Sequence, residues 1–158
     1  MAAIAVCGVA MGSNYYLDQR RTEYADTSER LQVMSLEVQQ DTEKVAARTE
    51  IMNQVIQDDQ QQLAMIKSQI DSKTIDKAKA QKQIAIIDEN IAVMRKDLTN
   101  MQAKVGEYSK VAAQERSDGA GESVVILEQE ISNMNQKVSA LQSEVDGLYN
   151  QRSAITLG

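Results

Sequence analysis

Residues 84–112 read IAIIDEN IAVMRKD LTNMQAK VGEYSKV A, a spacing that decides the fold. Each group of seven opens on an aliphatic residue (Ile84, Ile91, Leu98, Val105, Ala112) and carries a second apolar residue three places later (Ile87, Met94, Met101, Tyr108). Apolar residues alternating by three and four lie on one stripe of an α-helix, the a/d seam of a heptad repeat. Traced backwards, the seam continues through Ala80, Ile70, Ile66 and Leu63, interrupted only by Lys73 and Lys77. The d positions alone continue to Met52, Val45, Val38, Leu31, Tyr24 and Leu17, with Asp59 as a charged exception. Over this first half the a positions are polar, and most are small: Arg21, Ser28, Ser35, Thr42 and Thr49. One register without proline predicts one long helix over residues 18–115, about 150 Å at 1.5 Å per residue.

The clear break is the turn at residues 116–123, RSDGAGES, where Asp and Gly supply turn geometry and Ser123 suits a helix N-cap. A returning helix is predicted over 124–155. Its stripe is Val124, Leu127, Ile131, Met134, Val138, Leu141, Val145, Leu148 and Ile155, with Arg152 as the polar exception. Folded back, it sets Leu127 against Ala112, Leu141 against Leu98, Val145 against Met94, Leu148 against Ile91 and Ile155 against Ile84. The expected fold is therefore all-α: a long heptad-repeat helix followed by an antiparallel coiled-coil hairpin. It is completed as a three-helix bundle either within the chain or by dimerisation. Asp59, Lys73 and Lys77 serve as register charges. A parallel dimer would oppose each to its own copy, whereas an antiparallel arrangement sets Asp59 level with Lys77.

Composition agrees with long helices. The chain has 158 residues, 3% aromatic, with no Pro, no His and seven Gly. Ala, Gln, Glu, Lys, Leu and Met propagate helices well, while a sandwich or an α/β enzyme leans on aromatics and turn residues. Without His there is no imidazole base or ligand, and the single Cys7 forms no intrachain disulfide. Acidic neighbours such as Asp58-Asp59, Asp88-Glu89 and Glu128/Glu130 read as solvated charge, and the methionines as core filler. Net charge is −6 with acids and bases interleaved, which argues against a nucleic-acid surface. No cofactor, metal, catalytic group or small-molecule substrate is expected.

The segment 1–17 differs in kind. Residues 2–12 carry no charge, and Tyr15-Tyr16 precede Asp18 and Arg20-Arg21. This reads as a membrane anchor or an export signal, at the short end of what spans a bilayer. In general plan, a short apolar start followed by coiled coil resembles bacterial membrane-anchored scaffold proteins, a resemblance of architecture and not of motif. The expected function is a non-enzymatic, membrane-tethered spacer or assembly subunit of a bacterial-type envelope. Residues 2–17 would meet the membrane, and the coiled-coil surfaces would meet another copy or a helical co-subunit. The alternatives are an exported holdase-like chaperone and a regulatory subunit that folds onto a partner helix.

Overall fold

A computed structural model of the chain describes residues 12–158. All regular structure among them is helical: α1 (Ser13–Glu23), α2 (Thr27–Asp71), α3 (Lys77–Ser117) and α4 (Ser123–Ser153). The expected anchor or export signal falls mostly outside the described residues. Only its end, Gly12 to Leu17, is described, as the N-cap and opening of α1.

The single helix expected over 18–115 is instead three helices, and polar side chains rather than Gly or Pro make the breaks. After α1, Tyr24 is extended (φ −128°, ψ 101°). Asp26 then caps α2, its Oδ1 accepting from the Glu29 amide at 2.8 Å. α2 ends in a Schellman motif. The Thr74 amide donates to Gln69 O at 2.9 Å and the Lys73 amide to Ile70 O at 3.1 Å. Lys73 takes the left-handed position (φ 57°), which costs a residue with a Cβ about 1–2 kcal/mol. Ser72 Oγ donates to Ser68 O at 2.8 Å, and Asp76 Oδ1 caps α3 by accepting from the Lys79 amide at 3.1 Å. α3 ends in the same motif, with Ala120 bonded to Glu115 O, Gly119 bonded to Arg116 O, and Gly119 at φ 94°. The turn expected at 116–123 is thus shorter, because Arg116 and Ser117 complete α3 and Ser123 starts α4.

The described residues form two compact units. One comprises Arg48–Leu98 with Ala140–Gly158. Here Arg48 meets Asp97 and Asp59 meets Asn90, so α2 and α3 run in opposite directions. Arg95 meets Asp146 and Arg152 meets Asp88, so α4 also opposes α3. Met52, Ile56, Leu63, Ile66, Ile84, Ile87, Ile91, Met94, Leu98, Leu141, Val145, Leu148 and Ile155 are buried between them. Ile155 lies past the last residue of α4 and still packs inward.

The short reversal at 72–76 sets this register and corrects the expected one. It brings Asp71 level with Lys77, so Asp59 faces Asn90 and not Lys77. Lys73 and Lys77 are exposed at the turn and enter no seam.

The second unit comprises residues 12–47 with Thr99–Ser139. Tyr16 and Leu17 of α1, Leu31, Met34, Val38 and Val45 of α2, Met101, Val105, Tyr108, Val111 and Ala112 of α3, and Val124, Leu127, Ile131, Met134 and Val138 of α4 make its core. The small residues Ser35 and Thr42 are buried as well, their hydroxyls bonded back to Leu31 O and Val38 O at 2.8 Å. Small side chains there leave room for bulkier neighbours, which is how a stripe with polar a positions still packs.

Candidate functional site

The distinctive chemistry is a set of polar pairs between α2 and α3, two in each unit, each with at least one partner buried. In the unit containing α1, Arg30 and Glu115 form a two-pronged ion pair. Arg30 Nε and Nη2 donate to Glu115 Oε1 and Oε2 at 3.0 and 2.9 Å. Arg30 is 7% exposed and Glu115 1%. Arg30 Nη1 also donates to Tyr24 O at 3.2 Å, tying down the α1–α2 link. Further along, Asp41 accepts at Oδ2 from Lys104 Nζ (3.0 Å) and from Tyr108 OH (2.5 Å). Burial, followed by the Asp41 carboxylate, pushes the Tyr108 phenol well above its ordinary 10.0, so it stays a donor.

In the other unit, Arg48 Nη1 lies 3.5 Å from Asp97 Oδ1, and Asn90 Nδ2 donates to both Asp59 oxygens at 3.3 and 3.0 Å. Burial raises the carboxyls of Asp97 and Asp59 above their usual range. Arg48 opposes this at Asp97, and Asn90 opposes it at Asp59. Asn53 Oδ1 is buried with no hydrogen-bond partner among the described residues.

α1 is held by a related cluster. Tyr16 OH donates to Glu37 Oε2, and Arg20 Nε donates to the same oxygen at 3.1 Å. The Arg20 guanidinium lies 5.0 Å from the Tyr16 ring centroid. The Tyr16 ring meets Tyr108 edge-on, with centroids 5.7 Å apart. Arg21 binds Asp118 and approaches Glu115 at 3.5 Å.

Polar contacts between α3 and α4 are of another kind, since they are exposed on the rim. Arg116 donates to Glu128 in one unit, and Arg95 and Arg152 meet Asp146 and Asp88 in the other. Buried pairs tolerate only one alignment, because a slip would strand a charge away from water, whereas rim pairs are weak constraints.

The residues expected in the helix seam are buried: Leu63, Ile66, Ile84, Ile87, Ile91, Met94, Leu98, Met101, Val105, Tyr108, Leu127, Ile131, Met134, Val138, Leu141, Val145, Leu148 and Ile155. Ile70, near the turn, is half-buried. Of the three register charges, only Asp59 lies inside. The sequence reading missed Arg30, Asp41, Asn90, Asp97 and Glu115. A signal existed for part of this set: Asn90, Asp97, Lys104 and Val111 step by seven, one place before each a position. That flank of α3 faces α2.

A groove of about 510 Å³ runs beside Val105, Ala112, Arg116, Glu128 and Ile131. Among the described residues no group of three acidic or Cys side chains is placed to hold a metal ion, and no helix is long and apolar enough to cross a membrane. No protein-family model, curated protein or solved structure matches the chain.

Proposed function

We propose that the chain is a non-enzymatic structural protein: an antiparallel coiled-coil hairpin of α3 and α4, completed as a three-helix arrangement by α2 of the same chain. It acts as a spacer or assembly subunit tethered through its apolar N-terminal segment. The observation that carries this reading is the buried polar pairing of α2 with α3. Such pairs specify one alignment at some cost in stability, a feature suited to a part of defined geometry. Arg95–Asp146 and Arg152–Asp88 support the hairpin, since they lie two residues and one residue from the alignment of the apolar stripes.

The apolar seams are filled within the chain, so partner contacts fall to outward residues such as Leu36, Met65 and Ile126, which are 56–60% exposed. Filled seams also weigh against a client-gripping chaperone, which would need apolar surface between open arms. With no imidazole in the chain and its buried carboxylates on α2 and α3 engaged by Arg, Lys, Tyr or Asn, no residue is assigned a catalytic role.

Cell fractionation with mass spectrometry of the mature N-terminus tests the tether. An intact Met1 segment in the membrane pellet, retained after salt washing, is expected. A freely soluble chain beginning near Ser13 would instead favour export after cleavage.

A further inference from the structure

We infer that the reversal at Ser72–Asp76 is a hinge through which two copies of this chain exchange α2. The two reversals on either side of α3 close with the same pair of backbone bonds, yet they differ at the left-handed position. Gly119 occupies it in one and Lys73 in the other. Lysine's Cβ meets the neighbouring carbonyl there, a penalty glycine escapes. The residues 72–76 contain neither Gly nor Pro, and the seven-residue register carries through them from Ile66 and Ile70 to Ala80 and Ile84, with Lys73 and Lys77 at the two seam positions between. A continuous helix is therefore open to this segment, and it would relieve Lys73.

If the segment straightens, α2 leaves its own α3 and becomes available to a second copy. Because α2 and α3 are antiparallel, two straightened chains related by a twofold axis restore every pairing. Arg30 returns to Glu115, Asp41 to Lys104, Arg48 to Asp97 and Asp59 to Asn90, each now from the other chain. No new surface is required, which is the condition that makes exchange of an element cheap. At the crossing, the same register sets Lys77 of one copy level with Asp71 of the other, an opposite-charge match. The inference rests on the intrachain closure of α2 and not on the tether or the scaffold role, so fractionation leaves it untouched.

The test uses the full chain refolded from denaturant at low and high concentration, then sized by light scattering. Wild type should give a monomer and a slowly exchanging dimer whose share grows with concentration during refolding. Replacing Ser72–Asp76 by alanines should shift the product to dimer. Lys73→Gly should cut the dimer share several-fold, and Lys73→Val should raise it. Carbodiimide coupling of Asp41 to Lys104, whose charged atoms lie 3.0 Å apart, then reports the route. Dimers made from light and heavy isotope chains refolded together should yield mixed-isotope cross-links. A well-folded alanine variant that stays monomeric would overturn the inference, as would dimers whose Asp41–Lys104 links are all single-isotope. Should the alanine variant fail to fold, equal dimer shares in Lys73→Gly and Lys73→Val would overturn it as well.

Discussion

Arg30 on α2 and Glu115 on α3 meet through two parallel hydrogen bonds of 3.0 and 2.9 Å, although 85 residues separate them in sequence and water reaches neither carboxylate oxygen nor guanidinium freely. Removing one partner strands the other in a dry site. Arg30→Met should destabilise the chain by about 3–5 kcal/mol, while Arg30→Met with Glu115→Met should recover most of the loss. Denaturant unfolding of the wild type, both single variants and the double variant measures the coupling. Additive losses would mean that the pair is not energetically linked.

The matching positions Lys73 and Gly119 make opposite predictions. Lys73→Gly should stabilise the monomer by about 0.5–1 kcal/mol, since relief of the left-handed penalty exceeds the entropy glycine adds to the unfolded chain. Gly119→Ala should cost about 1–2 kcal/mol on backbone grounds alone, because a Cβ built there meets nothing within 4 Å. Thermal unfolding at a concentration that keeps the chain monomeric checks both signs.

Asp59 sets a pH dependence. Burial raises its carboxyl above the ordinary 3.8, against the opposing bond from Asn90. A raised folded value means that the folded chain holds the proton more tightly than the unfolded chain. The stabilising contribution is full below 3.8 and is lost as pH rises through the folded value. Asp59→Asn retains an acceptor for Asn90 Nδ2 and carries no charge. It should therefore be more stable than wild type at neutral pH, by a margin that shrinks as pH falls. Melting temperatures of both proteins from pH 7 to pH 4 decide it, and a margin that widens in acid would contradict this account.

Packing depth predicts a further contrast. Leu98 is 1% exposed and Leu36 56%. Leu98→Ala should cost about 2–5 kcal/mol, and Leu36→Ala no more than about 0.5 kcal/mol. Ser35 lies on the polar side of the α2 repeat and reads from sequence alone as a mild site. Its 5% exposure changes that. Ser35→Asp would bury a carboxylate, so its cost should approach that of Leu98→Asp in a urea titration.

The helical class, the stripe from Leu63 to Ala112 and the returning stripe from Val124 to Ile155 were legible because burial on one face of a helix leaves a three-four spacing that needs no knowledge of the partner. The reversal after α3 was legible because Gly119 and Gly121 announce it. The reversal after α2 was not. Ser72, Lys73, Thr74 and Asp76 are compatible with helix or turn, and no local preference chooses between them. Only the gain from laying α2 along α3, with Asp59 reaching Asn90 and Arg48 reaching Asp97, selects the turn and offsets the strain at Lys73. The buried polar residues escaped for the same reason. A charge between two seam positions looks solvated until a third helix covers it, and that covering is a property of the folded chain, not of any stretch of its sequence.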